Sequence, residues 1–140
     1  MREELESASN EVFDFLLAGW SESIYQKALM HELSQRGVTF TTEGTIPVFY
    51  KGSPVGRRRP DLFVKDNRDK TIIVELKAGS NSGRAQLLQY LRMVELDHNF
   101  PNVRGGALIR FNDVVEFEFV ELGPEINPDD KQMTLGAIEE

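Results

Sequence analysis

At 140 residues the chain is long enough to bury one core without covalent staples, and with no cysteine it has neither a disulfide framework nor a thiolate metal centre. No apolar run approaches the roughly 18 residues of a membrane span, and the acidic opening Met1-Arg2-Glu3-Glu4-Leu5-Glu6 lacks the apolar stretch of a secretory signal, so the expected location is cytoplasmic, with no membrane partner. The net charge of −7 opposes a polyanion, but residues 1–14 carry −4, residues 121–140 carry −5, and the remainder carries +2. Local basic patches decide phosphate binding more than the total does.

In chain order, residues 11–18 read as a short helix ended by Gly19. Ser21 is placed to cap a second helix over residues 22–36, ended by Gly37. Its apolar stripe is Tyr25, Ala28, Leu29 and Leu33, with Glu32 inside the stripe and Glu22 at its border. Glu32 also stands i,i+4 from Arg36, so both an ion pair and a place in a site stay open for it. Residues 38–50 alternate as a strand, bent or bulged at Glu43-Gly44. Lys51-Gly52-Ser53-Pro54 turns the chain into a strand over residues 57–64.

The polar stretch 65–70 separates Leu62-Phe63-Val64 from Thr71-Ile72-Ile73, which indicates a hairpin; its register stays open between a centre at Arg68 and a one-residue shift that would turn Asp61 onto the face of Val74. Residues 84–96 form a helix with Leu87, Leu88, Leu91 and Val94 on one face and Gln86 and Tyr90 at its edge. Residues 107–111 and 114–120 form a last hairpin, where Val115, Phe117 and Phe119 alternate with Glu116 and Glu118. Residues 1–122 are therefore expected to be one domain, with 123–140 a loosely ordered acidic tail. The order of helices, meander, helix and strands suits an α/β three-layer core with a mixed central sheet. Small size and the exposed final hairpin make a homodimer an expectation.

The chemistry concentrates at one hairpin. The run Thr71-Ile72-Ile73-Val74-Glu75-Leu76-Lys77 is apolar toward both faces, as in a buried strand. Ile73, Glu75 and Lys77 share one face; Ile72, Val74 and Leu76 share the other. A hairpin centred on Arg68 sets Asp61 directly across from Glu75, where Cβ atoms lie roughly 4.5–5.5 Å apart and like charges repel. A buried carboxylate pair with a lysine beside it is tolerable around a hard cation, and Mg²⁺ suits oxygen ligands best, with Mn²⁺ able to substitute. A structural ion-pair network is the bland alternative.

Pro60-Asp61, thirteen residues, then Glu75-Leu76-Lys77 resembles the signature of the PD-(D/E)XK nuclease superfamily. Gly19-Trp20-Ser21-Glu22-Ser23-Ile24-Tyr25 spells Gly-x-x-Glu-x-x-Tyr and is similar to the GxxExxY branch of that superfamily. The likeness runs through Tyr25-Gln26-Lys27-Ala28-Leu29, Glu32-Leu33, Ile46-Pro47-Val48, Tyr50-Lys51-Gly52, Val55-Gly56 and Ala85-Gln86-Leu87-Leu88-Gln89-Tyr90-Leu91, over roughly residues 8–112. It implies a restriction-endonuclease-like fold and a nuclease that hydrolyses DNA phosphodiester bonds through a metal-activated water.

By that resemblance Asp61 and Glu75 hold the metal, Lys77 orients or activates the attacking water and stabilises charge on the phosphate, and Glu22 completes the metal site or binds it through water, although Glu22 also fits a favourable acid in the first turn of a helix. Gln86 and Tyr90 match a Gln-x-x-x-Tyr element of exonuclease-like members that supports the site and contacts nucleic acid. Arg57, Arg58, Arg59 and Arg84 are the candidate phosphate-binding residues, although Arg57–Arg59 also fits a solvated strand edge. The alternatives are a non-catalytic nucleic-acid-binding module on the same fold and a structural protein whose acidic patch binds a cation. His31, on a polar helix face, and His98 are not expected in the site.

Overall fold

The apolar run at residues 71–76 forms the middle of the molecule. In the computed structural model, which describes residues 1–80, 82–97 and 102–122, it belongs to β5 (Thr71–Ala78). The other elements are α1 (Arg2–Leu16), α2 (Glu22–Gln35), β1 (Thr39–Thr41), β2 (Ile46–Tyr50), β3 (Ser53–Arg58), β4 (Leu62–Lys65), α3 (Arg84–Leu96), β6 (Val103–Phe111) and β7 (Val115–Glu121). Five strands make one sheet in the order β1-β4-β5-β6-β7, while β2 and β3 pair only with each other. The β5–β6 pair is parallel and the others antiparallel, so the sheet is mixed. Antiparallel β4 and β5 are joined by a tight turn, whereas parallel β5 and β6 need the α3 crossover.

The two faces of β5 are covered by different helices. Ile72, Val74 and Leu76 pack with Leu5 and Val12 of α1 and Tyr25, Leu29 and Leu33 of α2. Ile73 packs with Leu87, Tyr90, Leu91 and Val94 of α3, together with Ile46 and Phe63. Helices on both faces of a mixed sheet give an α/β three-layer, restriction-endonuclease-like architecture. Burial on both faces is why the β5 sequence lacks polar alternation until Glu75.

Several boundaries depart from the sequence reading. The first helix starts at Arg2 rather than residue 11, because Leu5, Ala8 and Val12 make a narrow buried stripe under an acidic outer face, and Glu3 and Glu4 suit the positive helix N-terminus. It ends at Leu17, which adopts φ 64°, before Gly19 is reached. The second helix is capped as expected, with the Ser21 hydroxyl accepting from the Ile24 N–H. On it, Glu32 accepts from Arg36 Nε at 2.7 Å, and Arg36 also pairs with Glu4 and Glu11, so Glu32 belongs to a helix-pairing network.

Residues 38–50 are two strands in two sheets. The chain leaves β1 at Gly44, where any side chain would overlap the Phe63 ring, and then enters β2. The strand expected over 57–64 is likewise broken: β3 stops at Arg58 and β4 starts at Leu62. Pro60, which lacks the N–H a ladder needs, is buried at that break. On α3, Tyr90 is buried while Leu88 is half-buried, so Tyr90 belongs to the packed face rather than its edge.

In the final hairpin Val115, Phe117 and Phe119 pack onto the core beside α1. These three side chains are only partly buried there. No described helix is long and apolar enough to cross a membrane. His98 and the tail 123–140 lie outside the described residues.

Candidate active site

The β4–β5 register is the one that centres the hairpin on Arg68. Leu62 pairs with Val74, and the next position along sets Asp61 against Glu75. Beyond Leu62 the ladder continues through side chains instead of backbone. The Asp61 N–H donates to Glu75 Oε1 at 3.0 Å, and the Leu76 N–H donates to Asp61 Oδ2 at 2.7 Å. Each carboxylate thus has one oxygen held by the neighbouring strand, leaving its other oxygen for a further partner. Lys77 Nζ lies 3.8 Å from Glu75 Oε2, and the lysine side chain is only 13% exposed.

Burial sets the electrostatics. Glu75 is 2% exposed, and desolvation, followed by the nearby Asp61 charge, pushes its carboxyl up to about 7. Burial also raises Asp61, against the opposing pull of the Leu76 N–H and the Lys77 ammonium. Glu22 is raised too, by burial first, with Lys77 lowering it and Asp61 raising it. Three carboxylates feel one another and one lysine, an excess of negative charge that a cation would relieve.

Helix α2 brings Glu22 to this cluster, and the sequence explains how. Tyr25 is fully buried, stacks on Phe111 with ring centroids 4.3 Å apart, and donates its hydroxyl to the Leu17 carbonyl at 2.6 Å. The Trp20 N–H donates back to that hydroxyl oxygen at 3.3 Å. Tyr25 therefore fixes the α1–α2 turn and with it the first turn of α2.

One turn beyond Glu22, Gln26 Nε2 donates to the Asp61 carbonyl at 3.2 Å. Sequence reasoning missed Gln26. Its signals are its place in the Tyr25–Leu29 run of the resemblance, which carried no role for it, and the i,i+4 spacing from Glu22, which puts both residues on one helix face.

On α3, Gln86 Nε2 donates to the Tyr90 hydroxyl at 2.8 Å. Burial, and then the Glu75 charge, raise the Tyr90 phenol, so this pair borders the carboxylates.

The arginines do not form a single patch. Arg58 lies opposite buried Ile46, on the ribbon face toward α3, and its charge reaches Tyr90. Arg57 lies opposite Pro47 on the other face and donates to Thr45 Oγ1. Arg59 pairs with Glu43 at 3.9 Å, and Arg84 pairs with Glu118 at 2.8 Å. Alternation along a strand separates side chains that are adjacent in sequence.

All the candidate metal donors are carboxylate oxygens, which suits a hard divalent cation. Among the described residues no three acidic or histidine side chains stand at ligand spacing. Asp61 and Glu75 form a facing pair of carboxylates, with Glu22 in electrostatic range on the adjoining helix. One or two carboxylates with the remaining positions open is the common pattern for Mg²⁺ beside a phosphate.

The model of the PD-(D/E)XK nuclease superfamily matches residues 1–121. The chain belongs to that superfamily, whose nucleases generally use divalent metals. Among curated protein sequences nothing matches significantly. Solved structures are similar to this chain, among them the following two. A crystal structure of SSO0001 shares 13% identity at a TM-score of 0.46, covering 84% of this chain and 56% of that one. A cryo-electron microscopy structure of a DrdV–DNA complex shares 18% identity at a TM-score of 0.46, covering 100% of this chain and 14% of that one. The chain thus spans less than two thirds of either.

Proposed function

We propose that this protein is a divalent-metal-dependent nuclease that hydrolyses DNA phosphodiester bonds. The observation that carries the proposal is the facing Asp61–Glu75 pair across β4 and β5, with Lys77 next along the same face of β5. Asp61 and Glu75 would hold Mg²⁺, or Mn²⁺ in its place, and Glu22 would complete the site directly or through water. When bound, the cation supplies a Lewis acid toward a phosphate oxygen and acidifies nearby water.

The chain's own groups do the rest. The Asp61 and Leu76 N–H groups fix the carboxylates. Lys77, tethered beside Glu75, donates to a phosphate oxygen and offsets the negative charge that builds up as the bond breaks. Gln86 orients the Tyr90 hydroxyl at the border of the site. Arg57, Arg58, Arg59 and Arg84 are the candidate phosphate contacts, and Arg58 faces the site most directly. The Gly19-x-x-Glu22-x-x-Tyr25 motif supports assignment to the GxxExxY branch.

The test is cleavage of labelled single-stranded, duplex and branched DNA with Mg²⁺ or Mn²⁺. Wild type is compared with Lys77→Ala and with an EDTA control. Metal-dependent cutting that the variant loses is the expected result. A second reading, a non-catalytic binding module, draws on one observation: backbone N–H groups already satisfy one oxygen of each carboxylate without a metal. Nucleic-acid binding with no cutting on any substrate would favour it.

A further inference from the structure

The β2–β3 ribbon has an unusual composition and an unusual setting. Residues 46–59 contain Lys51, Arg57, Arg58 and Arg59 and no acid, within a chain of net charge −7. The ribbon pairs with no other strand, and every residue of β3 is exposed. Its far end carries Phe49, Tyr50 and Val55, which are 38%, 62% and 61% exposed. A free two-stranded ribbon is marginal in water, and Tyr50 and Val55 at its tip leave most of their surface in solvent.

The turn itself is informative. Lys51 and Gly52 both take positive φ, 50° and 83°, the geometry of a two-residue type I′ hairpin turn. Asn, Asp or Gly is favoured at its first central position. Lysine there forgoes turn stability and sets an ammonium at the tip, with Nζ 5.3 Å from the centre of the Tyr50 ring. At its base the ribbon is anchored by buried Ile46, and it runs through Arg58, Arg59 and Pro60 straight into Asp61.

We infer that the β2–β3 ribbon is a binding arm for single-stranded nucleic acid. Unpaired bases stack on Tyr50 and Phe49, while Lys51 and Arg58 follow the phosphates toward Asp61 and Glu75. This deepens the nuclease reading and rests on nucleic acid being the substrate. Aromatic faces bind any unpaired base but cannot reach bases stacked inside a duplex, and a cationic track beside them is the common design for single strands. Two-stranded ribbons also fit the major groove, where polar side chains would read base edges. This tip offers a phenylalanine, a tyrosine and a valine instead.

The experiment is fluorescence anisotropy with the full chain in EDTA, so that binding is read without cleavage. The probes are a labelled single strand of roughly 20 nucleotides and the same strand in a blunt duplex. Wild type is expected to bind the single strand more tightly. Tyr50→Ala should weaken that binding about 10-fold and change duplex binding less than about 2-fold. Lys51→Asn is the control for folding. It should leave the melting temperature unchanged or higher, since Asn is favoured in this turn, yet weaken single-strand binding and lower its salt slope by about 0.7.

Unchanged single-strand affinity in both variants overturns the proposal. So does tighter duplex binding that Tyr50→Ala lowers equally, which would mean groove docking, and so does no binding of either probe. Cleavage of the same probes with Mg²⁺ separates the two readings. Cutting with unaffected arm variants removes the arm and keeps the nuclease; arm-dependent binding without cutting does the reverse.

Discussion

The two faces of β5 are built from alternate residues of one strand and behave oppositely. On one, Ile72, Val74 and Leu76 are sealed under α1 and α2 in an all-apolar core. On the other, Ile73 is equally buried under α3, but Glu75 and Lys77 follow it and meet Asp61 instead of a hydrocarbon neighbour. The same strand, with the same backbone rigidity, thus supplies packing on one side and charge on the other. Burial that stabilises the first face costs the second, as the raised Glu75 and Asp61 carboxyls show. A mutation should therefore affect stability or activity according to its parity along β5.

The largest expected effect is on the charged face. Lys77→Ala should lower metal-dependent cleavage about 1,000-fold, roughly 4 kcal/mol of transition-state stabilisation, with a nearly unchanged melting temperature. Single-turnover cleavage and a thermal melt check this. Parallel losses of fold and activity would mean that Lys77 is a packing residue. One position earlier, Leu76→Ala should do the reverse and cost about 3 kcal/mol in urea unfolding, because it opens a cavity under α2. A loss below about 1 kcal/mol would show that this face is not the stabilising one.

Next comes the pH dependence of the metal-free protein. The Glu75 carboxyl titrates near 7 in the folded chain, against an ordinary value of 4.5. The folded state therefore holds this proton more tightly than the unfolded state. Its contribution to stability is complete below pH 4.5 and is lost as pH rises through about 7. The loss is at most about 3 kcal/mol, and the raised Asp61 carboxyl acts with the same sign. Urea unfolding in EDTA at pH 5 and pH 8 measures it. Glu75→Gln should flatten the slope and be the more stable protein at pH 8. Mg²⁺ should raise the melting temperature more at pH 8 than at pH 5, since protons and the cation compete for the same oxygens. A flat wild-type profile would mean that Glu75 is already compensated within the fold.

Local patterns made part of this legible. Apolar parity and the polar stretch 65–70 marked the hairpin, but the Asp61–Glu75 opposition was only one of two registers until the Leu62–Val74 pairing decided it. Ser21 and the residue 84–96 periodicity placed both site helices. What stayed hidden depends on contacts distant in sequence. Gln26 reaches the Asp61 carbonyl across 35 positions, and its i,i+4 spacing from Glu22 does not reveal that contact. The division of residues 38–50 between two sheets turns on Gly44 passing over the Phe63 ring. The start of α1 was obscured because its buried stripe includes a small residue, Ala8, and a polar one, Ser9, whose hydroxyl donates to the Leu5 carbonyl.

The smallest expected effect tests whether the charged face can be disturbed from outside the strand. Gly83 begins α3 with φ +71°, and a Cβ there would stand 2.7 Å from Lys77 Cγ and 3.1 Å from Leu108 Cδ1. Gly83→Ala should cost about 1 kcal/mol through its left-handed backbone alone. The Lys77 stem is flexible and can move aside, whereas its ammonium then leaves its place beside Glu75. Cleavage should fall about 10-fold, with the larger part of the loss in kcat because the displaced group is the one that offsets charge in the transition state. Asn tolerates the left-handed backbone yet carries a Cβ, so Gly83→Asn should recover stability without recovering cleavage. Recovery of both would show that the backbone of the α3 N-terminus, and not the lysine stem, transmits the change.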